Sequence, residues 1–486
     1  MPKTIGEYQT ILSIEATGSL RQPVESLMAY CLPAPQKPGL GQPGKEIGDI
    51  LLVKGPNGQS LTISLGNQNK INGESFRLAG RALANWLIEN GVTRADVDRD
   101  QFQDYGIEQA LKAFCEGLRL GAFRNNRYKS TNDGIPASIQ ITIHTSAGQE
   151  EVSKMIEEVE TVTWAVNLAR DLAQQPANII NPVSLAEIVK EMAQTHGLKC
   201  TVLDEKELAD LKAGGILGVG SGSKTPPRLI MLQYPPAEFA PGTAPVVLVG
   251  KAITFDTGGY SIKDTNNIQG MKYDKCGGLT VLATLLAAAE LKLDIHLVGL
   301  ISAAENMISA ESYRPDDILT MLSGKTVEII TTDAEGRLVL ADALTYAQQQ
   351  YQPRALIDLA TLTGGVVTAL GHVRAGIMSN NSELVRQLFD AGERTHERLW
   401  ELPLDDDYFQ PIKGDDADLK NSGGRDGHPI FGGIFLKQFV KDEIPWAHLD
   451  IAGVADNNKE TPLNPKGATG YGVRLLVDYL KSLKSG

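Results

Sequence analysis

PVVLV (Pro245–Val249), CGGLTVLATLLAAAEL (Cys276–Leu291) and DIHLVGLISA (Asp294–Ala303) decide the fold. The first and third are nearly continuous apolar runs, as strands buried on both faces require. The segment between them is a Gly- and Ala-rich helix able to lie close against a sheet. Working outward, Thr326–Ile330 and Ala355–Ala360 read as further buried strands, with a helix at Arg337–Gln350 between them. Such alternation predicts an α/β fold on a mixed, mostly parallel sheet covered by helices on both faces.

The first 150 residues alternate more weakly. Strands are expected at Thr10–Glu15, Ile50–Lys54, Leu61–Leu65 and Ala137–His144, and helices at Glu74–Asn90 and Ile107–Leu120. In the first helix Leu78, Ala82, Trp86 and Leu87 recur at three- and four-residue spacing. Pro33–Pro43, rich in Pro and Gly, reads as a surface loop. A longer helical pattern from about Glu150 to Leu172 ends before QQPANIINP. The expected organisation is a smaller N-terminal α/β domain over 1–150, a linker helix and hinge over 151–176, and a catalytic domain over 177–486.

Composition narrows the functions available. The 486 residues are 42% apolar and carry 46 basic against 59 acidic side chains, a net charge of −13. That excess repels phosphate backbones, which argues against nucleic acid as a partner. RNNRYK (Arg124–Lys129), the best basic cluster, reads as a solvated loop. Cys31, Cys115, Cys200 and Cys276 are widely spaced with no C-x-x-C pair, so neither a disulfide framework nor a thiolate zinc site is expected. No apolar run approaches the roughly 18 residues of a spanning helix. With no export signal in MPKTIGEYQTILSIEA, the expectation is a soluble cytoplasmic protein without membrane contact.

In an open α/β sheet, ligands bind beyond the carboxyl ends of the strands. After Pro245–Val249 come Lys251, Asp256 and Lys263; before the Ala-rich helix, MKYD supplies Asp274; after Thr326–Ile330, TTDAEGR supplies Asp333, Glu335 and Arg337. Taken singly, Asp333 and Glu335 are ordinary first-turn helix residues, favourable at the positive end of the helix dipole. Gathered at one buried rim, four carboxylates repel one another and resist desolvation unless cations neutralise them. Two divalent metals about 3.5–4 Å apart answer that need. The seven histidines are scattered and H-E-x-x-H is absent, so the ligands are oxygen-rich; this suits Mg2+ or Mn2+, while Zn2+ also accepts carboxylates. His296 reads as a core residue in a strand, and His448 of WAHLD as a packing residue or a neighbour of the site. GVGSGSKT (Gly218–Thr225) is not a phosphate loop, because Ser223 stands where glycine is needed and a strand follows.

TTDAEGRLVLADAL (Thr331–Leu344) closely resembles the NTDAEGRL signature of the leucyl aminopeptidase family of dinuclear metallopeptidases. The likeness continues through VGKAITFDTGGYSIK, MKYDKCGG, YRPDDILTMLSGKTVEI, IDLATLTGG, WAHLDIAG and KGATGYGVR, over most of 160–486. It implies Lys251, Asp256, Asp274, Asp333 and Glu335 as metal ligands. Asp256 and Glu335 would be shared between the ions, Asp274 would join Lys251 on one of them, and Asp333 would serve the more exchangeable one. Lys263 and Arg337 resemble the two catalytic residues that bind no metal, Arg337 holding a bicarbonate that acts as general base. Met271, Thr361, Leu362 and Gly364 resemble the lining of the pocket for the first side chain. The implied activity is removal of an N-terminal residue, preferably leucine or another apolar one, from peptides by a metal-bridged hydroxide. The implied assembly is a homohexamer, a dimer of trimers. Two positions depart from the pattern: Thr331 replaces the usual Asn, and Tyr260 resembles the bacterial peptidase B-like branch.

Lysine binds a metal only as the neutral amine, so ligation by Lys251 requires its pKa to fall well below the ordinary value of about 10.4; simple pairing with the carboxylates is the alternative. Three other functions compete with this one: a DNA-binding hexamer, disfavoured by the charge; an inactive assembly protein, disfavoured because every ligand is present; and a dinuclear phosphoesterase.

Overall fold

The structure is a computed structural model that describes residues 11–18, 27–32, 44–55, 58–130, 136–146, 148–235 and 244–483. The loop expected at 33–43 and the first residue of the strand expected at Thr10 lie outside them. The chain divides into two compact units, Met1–Asn167 with Asn457–Gly467, and Leu168–Asp456 with Ala468–Gly486. The division falls inside one helix, Gln149–Gln174.

In the first unit the strands are β1 (Ile11–Thr17), β2 (Leu27–Leu32), β3 (Ile50–Gly55), β4 (Gly58–Ser64), β5 (Arg94–Asp98) and β6 (Ser138–His144). They form one sheet in the order β1-β6-β5-β2-β4-β3, parallel throughout except for the β3–β4 hairpin at one edge. Helices Gly73–Glu89 and Ile107–Gly121 share its core, around Phe76, Leu83, Phe102 and Phe114. Asn72 caps the first of them by accepting from Glu74 N and Ser75 N. Arg81, on the buried face of that helix, donates to the Glu460 carboxylate and the Thr461 carbonyl, so residues 457–467 complete this unit. Arg124 of the basic cluster is half-buried and donates to Asn85 Oδ1 at 2.7 Å, which corrects the expectation of a freely solvated loop.

The second unit contains β7 (Lys199–Leu203), β8 (Arg228–Tyr234), β9 (Val246–Asp256), β10 (Leu297–Asn306), β11 (Ile318–Thr320), β12 (Thr326–Glu328), β13 (Ala355–Ala360), β14 (Ala375–Ser379), β15 (Leu399–Glu401), β16 (Leu419–Lys420) and β17 (Trp446–Asp450). Its main sheet runs β15-β14-β17-β13-β9-β10-β8-β7, with the central β17, β13, β9 and β10 mutually parallel. Helices Cys276–Glu290 and Gly336–Gln350 both pack on β9. Two expectations need correction. The strand begun at Val246 continues through AITFD to Asp256, so Lys251 lies within it rather than after it. Thr326–Ile330 does not enter the main sheet; β12 joins β11 and β16 in a separate three-stranded sheet. Among the described residues no helix is long and apolar enough to cross a membrane.

Candidate metal centre

β9 is central and buried along nearly its whole length, with Lys251 in its middle and Asp256 as its last residue. Lys251 and Asp256 are each 2% exposed. After Asp256 the chain turns at Gly258 (φ +83°), where a side chain would meet Asp333 Oδ1 at 2.8 Å and Ser261 O at 2.6 Å. Only glycine fits that turn, and it brings Lys263 back over the strand end. The loop is tied by Thr332, whose Oγ1 donates to Gly258 O at 2.6 Å and accepts from Ser261 N at 2.8 Å.

Lys251 Nζ lies 2.9 Å from Asp274 Oδ1, 2.8 Å from Glu335 Oε1 and 3.0 Å from Thr361 O. Burial alone would lower its pKa, but Asp274, Glu335 and Asp256 hold the ammonium well above the ordinary value. Lys263 Nζ sits 2.8 Å from Asp256 Oδ2 and also pairs with Asp333. Asp256 Oδ1 accepts from Gly258 N at 2.9 Å and from Asn306 Nδ2 at 2.8 Å.

Four carboxylates thus face two ammonium groups, and the carboxyls respond. Burial, with the neighbouring acids adding to it, pushes Asp274 up to about 8 and Asp333 up to about 6, and raises Asp256. Glu335 moves down instead: burial opposes ionisation, but Lys251 and Lys263 outweigh it. Asp274 Oδ2 and Glu335 Oε2 are buried without a hydrogen-bond partner. Oxygens of Asp256, Asp333 and Glu335 all come within 4.8 Å of one another. Buried carboxylate oxygens left unpaired at this density are what divalent cations satisfy, so the donor set fits a metal centre. Cations that neutralised the carboxylates would also remove what keeps Lys251 protonated.

The cluster opens on a cavity of about 1180 Å3 whose walls include Lys251, Asp256, Lys263, Asp274, Asp333 and Glu335, and also Met271, Thr361, Leu362 and Gly364. Arg337 is not part of that lining. It is 2% exposed, donates from Nη1 to Asn421 O at 2.8 Å, and has a buried Nε without a partner. Burial lowers its pKa to about 10, against the pull of Glu335 and Asp450. His448 is fully buried in β17, with Nδ1 against Asp358. His428, on the cavity wall, has its imidazole pushed down to about 4 by burial and by Arg337.

Four contributions to the site were not assigned from the sequence, although Thr361, Asp450 and Lys275 stand within its motifs. Asn306 ends β10 opposite Asp256 and holds both that carboxylate and Thr332 O. Thr361 Oγ1 donates to Asp274 Oδ1 at 2.6 Å. Asp450 accepts from Leu362 N, Thr363 N and Thr363 Oγ1, which fixes the wall of the cavity. Lys275 is wholly buried and donates to Ala173 O, Gln175 O and Lys272 O, pinning the residues beside Asp274 to the end of the helix Gln149–Gln174.

Comparison with known proteins gives one consistent result. Residues 167–477 match the cytosol aminopeptidase family, catalytic domain, and residues 44–132 match the N-terminal domain of the same family. A probable cytosol aminopeptidase of Geotalea uraniireducens is 44% identical over 432 residues, covering 88% of this chain and 86% of that protein. One from Syntrophotalea carbinolica is 43% identical over 446 residues, covering 90% and 89%. Among solved structures, a variant of tomato leucine aminopeptidase superposes with a TM-score of 0.87 at 30% identity, covering 99% of this chain and 98% of that one. The bottromycin maturation enzyme BotP in complex with Mn gives 0.86 at 30% identity, covering 94% and 99%. With the fold, both domain patterns and the relatives in agreement, the chain belongs to the cytosol aminopeptidase family of peptide hydrolases.

Proposed function

We propose that this chain is a leucyl aminopeptidase that uses two divalent metal ions to remove leucine or another apolar residue from peptides with a free N-terminus. The observation that carries the reading is the buried carboxylate cluster with two unpaired oxygens, Asp274 Oδ2 and Glu335 Oε2, in the lining of the cavity. Lys251, Asp256, Asp274, Asp333 and Glu335 would hold the ions, Mn2+ or Zn2+, with Mg2+ also suited to the oxygen donors. Ions bound there would make hydroxide available near neutral pH.

The chain's own groups do the rest. Lys263, facing the cavity, donates to the oxygen of the scissile carbonyl as negative charge develops on it. The backbone fixed by Asp450 presents Thr361, Leu362 and Gly364, with Met271, to the first side chain; the flexible thioether of Met271 fits irregular apolar groups. Arg337, with Nε unpaired in a buried setting, has a donor free for an anion, and bicarbonate held there would take up the proton of the attacking water. The same reading includes a homohexamer, a dimer of trimers, in the cytoplasm; relatives named cytosol aminopeptidases support the location.

The test uses the purified full chain, stripped of metal and reloaded with Mn2+ or Zn2+, on a panel of aminoacyl amides and their N-acetylated counterparts. Metal-dependent cleavage confined to free amines is expected. Equal cleavage of the acetylated compounds, or hydrolysis of an aryl phosphate in place of the amides, overturns the reading.

A further inference from the structure

The cavity wall carries a carboxylate that the metal centre does not use. Asp456 lines the same cavity as Met271 and Val367 and is half-buried there. Among the described residues its carboxylate makes no hydrogen bond or ion pair; its one favourable charge neighbour is His372, whose Nδ1 already donates to Gly453 O at 2.7 Å. Burial lifts Asp456 to about 6, so it is ionised at neutral pH. It stands beside Tyr273 and Cys276, both held protonated mainly by burial and then by the Asp456 charge, which places it on the Met271–Asp274 side of the cavity. The other acids outside the cluster are differently engaged. Asp264 caps Asn266 N and Asn267 N, and Asp426 is exposed next to Arg425.

A purely aliphatic first side chain would cover Asp456 without pairing it, and a desolvated charge left unpaired is costly. Arginine and lysine have an aliphatic stem for the Met271 and Val367 wall and a cationic tip for the carboxylate. We propose that Asp456 is a specificity-determining residue that selects peptides beginning with arginine or lysine over uncharged side chains of the same length. This rests on the aminopeptidase reading above and widens its substrate class from apolar to cationic first residues.

The experiment compares kcat/KM for arginine, citrulline and leucine aryl amides with wild type, Asp456→Asn and Asp456→Glu, all metal-loaded. Calorimetric titration with argininamide and citrullinamide gives a second readout that needs no turnover. Wild type is expected to favour arginine over citrulline by about tenfold or more, the scale of one charged contact in a partly solvated pocket. Asp456→Asn brings that ratio to near one, and Asp456→Glu keeps most of it. A wild type that treats arginine and citrulline alike, or an Asn variant that keeps the wild-type ratio, overturns the assignment. If no free-amine substrate is cleaved, the aminopeptidase reading itself falls; if all are cleaved without charge discrimination, only Asp456 loses its role.

Discussion

Lys251 and Lys263 share one chemistry but differ in surroundings. Lys251 is enclosed between Asp274 and Glu335, while the Lys263 side chain, 15% exposed, keeps a face toward the cavity. On the proposed mechanism, removing the second would affect the developing oxyanion more than the bound substrate. Lys263→Ala is expected to lower kcat by about 10²–10³-fold with a smaller change in KM; steady-state kinetics showing an unaltered kcat would take Lys263 out of the reaction. Both lysines were legible in the sequence because they stand in one recognisable motif, VGKAITFDTGGYSIK, that runs from a buried apolar strand into the loop after it. Asn306 was not, since its partner Asp256 is 50 positions away and the two meet only when β9 and β10 pair. Thr331 Oγ1 accepts from the backbone N–H of Asp333 at 3.2 Å, so this short side chain holds the turn that leads into Asp333.

Among the elements, the decisive approach is that of the helix Cys276–Glu290 to β9 and β13. A side chain on Gly277 would meet Leu359 O at 2.2 Å, and one on Gly250 would meet Gly278 Cα at 2.5 Å. Alanine at 277 gains about 1 kcal/mol of helix propensity, but backbone overlap in a closed core costs about 1–3 kcal/mol or more. The overlap wins, and Gly277→Ala is expected to lower Tm by several degrees and to weaken metal retention, because Asp274 leads into this helix. Calorimetry finding an equal or higher Tm would mean that the helix can stand off from the sheet at no cost. Apolar runs located these elements well, since burial on both faces leaves a plain signature. They misplaced β12, because three alternating residues in a small side sheet look the same as the start of a buried strand. They missed β5, whose RADVD is too polar to stand out.

At the scale of the molecule, acid should expose the strain of keeping an uncharged imidazole on the cavity wall. His428 titrates near 4 when folded, below its ordinary 6.5, because of burial and then Arg337. A depressed folded value means that its contribution is intact above about 6.5 and is lost as the pH falls from there toward 4. The Tm advantage of wild type over His428→Asn is therefore expected to shrink across that window. Melting curves between pH 7 and pH 4.5 that keep a constant gap would show an imidazole as well hydrated as in the unfolded chain.

The sequence also gave no hint that residues 457–467 belong with the first unit, since nothing in NNKETPLNPKG marks a return. Yet Arg81 finds its acceptors there, in Glu460 and Thr461. During synthesis the amino-terminal unit must accordingly wait, incomplete and with that guanidinium unanswered, until residues 457–467 have left the ribosome. A nascent chain stalled before Asn457 would hold its first-made unit open to proteases and chaperones.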